Sequence, residues 1–156
     1  LTDNSYGFLP NHRDYRAKIF GGYQATDNLV LGFNASITAP RKFGCLGTHP
    51  TDTFAQQYGD DSWFCAGVAT PRGSVMESDT IFSLDFSLAF DLGGAGIIKE
   101  SAFKVDVFNI LGQDGVDDLY EYGESGGPSS YPYQYYQLPV SYQYPRAIRL
   151  GIEAKF

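Results

Sequence analysis

Two cysteines and a histidine lie within one polar stretch that also contains glycine and proline, namely Cys45, His49 and Cys65. Thiolates and imidazoles are ligands that Zn²⁺ prefers, so these three residues could contribute to a zinc site. Their spacing is irregular, however, and a cysteine pair in an exposed loop is more typical of a disulfide formed outside the cytoplasm. We therefore predict a Cys45–Cys65 disulfide, which would stabilise the folded loop by about 3 kcal/mol in the chain-entropy description.

A second stretch that could do chemistry is acidic. The segment 111–145 has no basic residue, and its carboxylates are Asp114, Asp117, Asp118, Glu121 and Glu124. Carboxylate oxygens are the ligands that Ca²⁺ prefers, but the spacing does not match an EF-hand loop. We therefore favour a solvated acidic loop. The alternative is a calcium ion held by Asp114, Asp117 and Asp118. No other cofactor is indicated.

The same segment is rich in tyrosine, with eight tyrosines between Tyr120 and Tyr144. A tyrosine ring offers a rigid contact area that is apolar on its faces and polar at its hydroxyl. Two interpretations follow: the rings stack on a ligand, or they pack this loop against its neighbours. The candidates for ligand contact are Tyr120, Tyr122, Tyr131, Tyr133, Tyr135 and Tyr136.

Catalysis and nucleic-acid binding receive no support from the remaining residues. There are two histidines, no serine lies in a nucleophile elbow, and the glycine-rich stretch 93–96 is typical of a turn. The net charge is -7, and no basic stripe is present that could neutralise phosphates. We therefore expect a protein that is not an enzyme and does not bind nucleic acid.

The elements that must position these residues are strands. Apolar and polar residues alternate in five segments, most cleanly in IFSLDFSLAFD, where Phe82, Leu84 and Phe86 alternate with Ser83 and Asp85. Such a period of two predicts strands with one apolar and one polar face. The predicted strands are about 13–24, 29–38, 80–91, 101–110 and 147–156. The fold class is therefore all-β.

Short and long connections alternate between these strands. QATDN and DLGGAG are rich in turn formers, whereas the segments 39–79 and 111–145 are far longer than a hairpin needs. Short turns at one end and long loops at the other are typical of transmembrane β-barrels, and the strands have the roughly 9 to 11 residues needed to cross a bilayer. A soluble sandwich would alternate too, but such long loops would be unusual in it. We predict five antiparallel strands of a larger transmembrane β-barrel with two long extracellular loops.

A barrel wall gives each strand face a different role. Aromatic residues near the strand ends would fall in the two interfacial girdles: Tyr15, Tyr23, Phe82, Phe90 and Phe156. The charged residues of the polar faces would point into the barrel: Arg16, Lys18, Asp85, Lys104, Asp106, Arg149 and Glu153. We expect these charges to pair with each other or with a plug, and a substrate path is the alternative.

Several stretches together resemble the C-terminal end of a TonB-dependent outer-membrane receptor, most of all the Oar-like subfamily. They are ATDNLVLGFNASITAPRKFGCLGTHP, WFCAGVATPRGSV, SLDFSLAF, KVDVFNIL and YPRAIRLGIEAKF. The resemblance implies a bacterial outer-membrane barrel of about 22 strands with an N-terminal plug. It implies transport of a bulky ligand, driven by the TonB complex acting through an N-terminal part that is not in this sequence.

Phe156 resembles the terminal aromatic residue by which the barrel-assembly machinery recognises its substrates, so we predict it to be an assembly signal. The predicted partners are outer-membrane lipid and the remaining strands and plug of the barrel, because five strands are fewer than the roughly eight of the smallest closed barrels. We therefore expect the chain to be a piece of a longer or processed polypeptide. The alternative function is a structural or adhesive outer-membrane element that assembles with other chains.

Overall fold

The computed structural model describes residues 2–9, 11–97 and 99–154. In chain order its elements are β1 (Arg16–Thr26), β2 (Leu29–Thr38), β3 (Lys42–Phe43), α1 (Thr53–Gln56), β4 (Phe64–Cys65), β5 (Val68–Ala69), β6 (Met76–Glu77), β7 (Ile81–Asp91), β8 (Ser101–Phe108), β9 (Val116–Leu119), a 3-10 helix (Pro128–Ser130), β10 (Pro139–Tyr142) and β11 (Ala147–Ala154). None of the helices in this described part is long and apolar enough to cross a bilayer.

The chain divides into two compact units. We call Arg16–Thr38, Ile81–Asp114 and Gln143–Phe156 the sheet unit. We call Leu1–Tyr15, Ala39–Thr80 and Gly115–Tyr142 the loop unit. The sheet unit contains the five long strands, and the loop unit contains α1, the 3-10 helix and the short strands.

The sheet unit is one antiparallel sheet in the order β1-β2-β7-β8-β11. This arrangement confirms the predicted all-β class and the five antiparallel strands. At one end of the sheet Thr38 pairs with Ile81 and Phe108 pairs with Ala147. The amide of Ile110 also donates to the carbonyl of Leu84, so the end of β8 lies beside the start of β7. Both long connections therefore leave the sheet at the same end.

The strand register brings the apolar residues together. Phe86 of β7 is opposite Phe33 of β2 and Val107 of β8, and Val107 is opposite Ile148 of β11. Because paired residues point to the same side of a pleated sheet, the alternating residues of all five strands form one face. We call it the apolar face, and its members are Ala17, Ile19, Gly21, Tyr23, Leu29, Leu31, Phe33, Ala35, Ile37, Phe82, Leu84, Phe86, Leu88, Phe90, Phe103, Val105, Val107, Ile148, Leu150, Ile152 and Ala154.

The apolar face lacks a covering layer within the described residues of the sheet unit. Ile19, Leu150 and Ile152 are 64%, 66% and 71% exposed, respectively. The buried apolar residues of the described chain all lie in the loop unit: Ala39, Phe43, Cys45, Ala55 and Cys65. The buried apolar residues of the described chain are thus in its connections, and the apolar face of the sheet is uncovered within the sheet unit.

Strand β8 ends two residues earlier than predicted, at Phe108. Asn109 has a left-handed φ of 46°, and its backbone N–H donates to the carboxylate of Asp85 at 2.9 Å. Its side-chain amide donates to the carbonyls of Gln113 and Tyr144. The side chain of Asn109 therefore bonds to backbone groups beyond the end of the strand, in competition with a continued ladder, and the regular strand stops at Phe108.

The other boundaries also shift slightly. β1 begins at Arg16 because Arg13 belongs to the loop unit, where its guanidinium donates to the carbonyl of Ala39 and to Asp117. β1 continues to Thr26 through a register shift after Gln24, which shortens the connection to β2. β11 is described to Ala154, and the predicted end of that strand, together with Phe156, lies outside the described residues.

Candidate functional site

Cys45 and Cys65 form a disulfide, with their Cα atoms 6.1 Å apart and both side chains buried. This confirms the predicted pair and makes the zinc alternative wrong, because neither sulfur is left as a thiolate ligand. His49 is engaged elsewhere: its Nδ1 accepts from the backbone N–H of Asp52 at 2.9 Å, and its Nε2 lies 3.2 Å from Oδ2 of Asp3.

The most buried carboxylate of the loop unit is Glu124, whose exposed fraction is 1%. One carboxylate oxygen accepts from the N–H of Thr48 at 2.8 Å, and the other accepts from the N–H of Ala66 at 2.6 Å. Thr48 and Ala66 follow closely after Cys45 and Cys65. Glu124 therefore holds the second long connection against both sides of the disulfide through charge-assisted hydrogen bonds, which are stronger than neutral ones.

Gly123 makes this close approach possible. A Cβ at Gly123 would overlap Sγ of Cys45 and would lie 2.7 Å from Sγ of Cys65. The backbone of Gly123 also pairs with the first connection, since its N–H donates to the carbonyl of Leu46 at 2.8 Å. A side chain at this position would therefore separate the two connections.

Glu121 makes a third link between the connections. Its Oε1 accepts from the N–H of Gly44 at 2.6 Å. Burial raises the pKa of the Glu121 carboxyl above its ordinary value, and the Gly44 hydrogen bond and the positive charge of Arg41 oppose this rise. The interpretation of a solvated acidic loop is therefore wrong for Glu124, because backbone amides bind both of its oxygens and the residue is buried. Glu121 is half-buried, and one of its oxygens is bound by the Gly44 amide.

The remaining acidic candidates do not assemble a calcium site. Asp117 accepts from Arg13 at 2.5 Å, and Asp118 lies 3.0 Å from Arg41. In the part of the chain that the structure describes, no three His, Cys, Asp or Glu side chains are arranged to hold a metal ion. The predicted calcium ligands Asp117 and Asp118 thus form ion pairs that tie the second connection to basic residues of the loop unit.

Four of the tyrosine candidates share one set of ring contacts. The ring of Tyr120 lies 5.8 Å from that of Tyr122, 6.1 Å from that of Tyr133 and 6.2 Å from that of Tyr135. Tyr133 and Tyr135 are 5.3 Å apart and meet edge to face. We call these four residues the tyrosine cluster. Tyr122 and Tyr135 are 37% and 49% exposed, so the cluster packs internally and still presents two rings to solvent.

The other two candidates form a separate pair. The rings of Tyr131 and Tyr136 are 5.8 Å apart, and Tyr131 borders the Gly123 backbone beside the disulfide. Burial raises the pKa of the Tyr136 hydroxyl. This pair lies beside the disulfide, and the ring of Tyr131 is also exposed.

One carboxylate lies directly beside the exposed part of the tyrosine cluster. The hydroxyl of Tyr122 donates to Oδ1 of Asp61 at 2.9 Å, and this hydrogen bond raises the pKa of the Tyr122 hydroxyl. The neighbouring Asp60 accepts from the hydroxyl of Thr48 and from the N–H of Gly126. Asp61 is exposed, so the hydroxyl end of the Tyr122 ring and a carboxylate lie together at the surface of the loop unit.

On the polar face of the sheet, four of the predicted interior charges pair with one another. Nζ of Lys104 lies 2.6 Å from Glu153, and Arg149 lies 2.9 Å from Asp106. Asp85 instead accepts hydrogen bonds from Asn34, Ser83 and the Asn109 N–H. Beside it is a shallow depression of about 280 Å³ lined by Phe20, Gly21, Gly32, Phe33, Asn34, Asp85, Phe86, Ser87, Asp106 and Phe108.

Sequence reasoning named Glu121 and Glu124 only as acidic residues and missed that they bind backbone amides of the first connection, and it did not single out Gly123. No local signal distinguishes Glu124 from the exposed carboxylates around it, since its partners Thr48 and Ala66 are far away in sequence. The adjacent EYGE pattern, with a glycine between two glutamates, is the nearest sequence cue to a close backbone approach.

The chain matches no model of a known protein family, no curated protein and no solved structure. Its function is therefore inferred from the sheet, the loop unit and the residues that connect the two long segments.

Proposed function

We propose that the chain is part of the barrel wall and of the extracellular, ligand-facing loops of a TonB-dependent outer-membrane receptor, similar to the Oar-like subfamily. The observation that supports this proposal most is the continuous apolar face of the five-stranded sheet. An apolar surface that spans five strands is far larger than a water-soluble monomer leaves open, and such a surface marks contact with lipid or protein. The strands are long enough to cross the hydrocarbon layer of a bilayer, so lipid is the covering that we propose for this face.

The two edges of the sheet support a larger barrel. β1 and β11 are the outer strands, so each has a row of backbone N–H and C=O groups without a ladder partner among the described residues of the sheet unit. In hydrocarbon each such group costs several kcal/mol, which excludes an open sheet from the bilayer. Strands from elsewhere in the polypeptide, or from other chains, must therefore pair with both edges.

The proposed receptor works without catalysis by this chain. The apolar face contacts outer-membrane lipid. The polar face points toward the barrel interior, where its charges pair with each other or with a plug. The long connections lie outside the cell, where they contact a bulky ligand such as a peptide, a chelate or a glycan. The TonB complex supplies energy through the plug, and the barrel-assembly machinery inserts the strands.

A structural or adhesive outer-membrane element is the second candidate. It is favoured by the internal organisation of the loop unit, which has its own buried residues, a disulfide and three hydrogen bonds that backbone amides donate to the carboxylates of Glu121 and Glu124. A rigid extracellular platform of this kind suits adhesion as well as ligand capture.

Fractionation of cells followed by the intact mass of the mature polypeptide tests the proposal. We expect the sequence in the outer-membrane fraction, released by detergent, within a polypeptide far larger than 156 residues. A membrane species of about the size of this chain alone would favour the structural element instead. Recovery of the protein in the soluble fraction after lysis without detergent would contradict both candidates.

A further inference from the structure

The net charge of the chain resides entirely in the loop unit. That unit has eleven Asp and Glu residues against four Lys and Arg residues, a net charge of -7, whereas the sheet unit has seven of each kind. A surface of one sign attracts ligands of the opposite sign and raises their association rate. The loop unit is thus electrostatically suited to a cationic ligand.

The four basic residues of the loop unit are engaged within it. Arg13 and Arg41 pair with aspartates of the second connection, and Arg72 donates to the carbonyl of Ser5 and lies over the ring of Trp63. The fourth is Lys42, whose ammonium is 3.2 Å from the carboxylate of Asp14. These cations therefore do not supply a basic patch that could attract an anionic ligand.

Lys42 also shows how this unit holds an ammonium group. Its Nζ lies 4.3 Å from the centre of the Phe8 ring as well as beside the Asp14 carboxylate. An aromatic face provides a cation–π contact and the carboxylate provides the opposite charge. The combination of a ring and a carboxylate is thus already used inside the loop unit to bind a lysine side chain.

The same two groups recur at the exposed edge of the tyrosine cluster. Asp61 is held beside the Tyr122 ring by the hydroxyl hydrogen bond, and Tyr135 is the second exposed ring of the cluster. Within the described residues, no Lys or Arg side chain forms an ion pair with Asp61 or lies over these two rings. The pair of groups is therefore accessible to a cation from another molecule.

We propose that the tyrosine cluster and Asp61 bind a peptide segment rich in lysine or arginine. This names the ligand class of the extracellular loops and rests on the proposed function for the location of the loop unit. Lysine and arginine side chains would lie on the Tyr122 and Tyr135 rings, and their charged ends would reach Asp61. A neutral oligosaccharide could also stack on the rings, but the charge of -7 would contribute nothing to its capture.

A binding assay with the whole protein tests this inference. The protein is purified in non-ionic detergent from whichever cell fraction contains it, and fluorescence anisotropy follows labelled oligolysine, labelled oligoglutamate and a labelled neutral oligosaccharide. We expect oligolysine alone to bind, with an affinity that falls as salt is added, because exposed charges are screened. Cell fractionation tests the proposed location, and anisotropy tests the ligand class. A failure of the proposed function is therefore distinguishable from a failure of this inference.

Point variants connect the binding to these residues. Tyr122→Leu should weaken oligolysine binding by roughly two- to fivefold through loss of the cation–π contact. Asp61→Asn should weaken it by up to about fivefold, because an exposed ion pair is modest in strength. Tyr6→Leu changes another exposed tyrosine of the loop unit, and Asp27→Asn removes the same charge from a turn of the sheet unit. Neither control should change the affinity.

Four results would overturn the inference. The first three are no binding of oligolysine, equal binding of the neutral oligosaccharide, and equal losses in Asp61→Asn and Asp27→Asn. Equal losses in the two variants would show attraction by total charge rather than by the tyrosine cluster. Stronger binding of oligoglutamate would overturn it as well, since it would reveal an anion site.

Discussion

The sheet unit and the loop unit differ in where their apolar side chains lie. The sheet unit is electrically neutral and leaves a full face of apolar side chains open, whereas the loop unit has a net charge of -7 and contains the buried apolar residues of the described chain. A sheet without a core of its own depends on its surroundings for stability. A connection with a core, a disulfide and a buried carboxylate is stabilised by its own contacts.

The difference also appears in how each unit uses polar side chains. On the sheet, Lys104 with Glu153 and Arg149 with Asp106 are exposed pairs between neighbouring strands, and such pairs contribute little stability in water. In the loop unit, Glu124 is fully buried and both of its oxygens are used. Loss of one buried hydrogen-bonding group costs more than loss of an exposed ion pair.

The largest expected effect tests the surroundings of the sheet. Phe86 is the central residue of β7 on the apolar face, and its neighbour Ser87 is on the polar face, opposite Gly32 and Asp106. If the apolar face contacts lipid, as the proposed function requires, Phe86→Lys should reduce stability in the membrane by about 2–4 kcal/mol, because a lysine at the midplane of a bilayer is that costly. Ser87→Lys is the matched control, and the inserted fraction is measured by gel mobility with and without heating. Equal insertion of both variants would argue against lipid at the apolar face.

Removal of the disulfide should affect the loop unit alone. The double variant Cys45→Ser, Cys65→Ser should destabilise the loop unit by about 3 kcal/mol through the added freedom of the unfolded connection. We expect rapid cleavage of the connection by protease added to intact cells, with unchanged amounts of protein in the membrane. Loss of the protein from the membrane would show that the two units do not fold independently.

A smaller effect is expected at the buried carboxylate. Glu124→Gln replaces one accepting oxygen by an NH₂ group that faces the N–H of Thr48 or Ala66, so it should cost about 1–3 kcal/mol of loop-unit stability. Asp114→Asn removes a charge from an exposed residue of the sheet unit and serves as the control. Hydrogen exchange of the Thr48 and Ala66 amides is the measurement. Unchanged exchange in Glu124→Gln would contradict the clamping role.

The smallest effect concerns pH. Burial raises the pKa of Glu121 above the value it has in the unfolded chain, so the folded loop unit retains this proton to higher pH. The unfolded state then binds fewer protons, and stability falls as pH rises from the ordinary glutamate pKa through the folded pKa. Glu121→Gln should remove this slope while its amide oxygen still accepts from Gly44. Protease resistance at a series of pH values measures it, and an unchanged slope would contradict the prediction.

Much of the sheet was predictable because its signal is local. The alternation of Phe82, Leu84 and Phe86 with Ser83 and Asp85 specifies a strand with two different faces, and strand β2 has the predicted bounds of 29–38. The β8 boundary was not predictable from the pattern, since it depends on a hydrogen bond from Asn109 to Asp85 on another strand.

The candidate site was predictable only in part. The Cys45–Cys65 pairing followed from composition and context, and the cluster of tyrosine rings was among the possibilities that the tyrosine-rich segment allowed. The roles of Glu121 and Glu124 did not follow, because an acidic residue in a polar segment is usually solvated.

The sequence by itself determined the period-2 strands, their apolar face and the cysteine pair, since these depend on residue type and short spacing. The tertiary structure decided that the two long connections fold together, that Glu124 is buried between them, and that Tyr122 and Asp61 lie together at the surface. The physical reason is separation along the chain: Glu124 meets Thr48 and Ala66 across 76 and 58 positions, where no local periodicity acts.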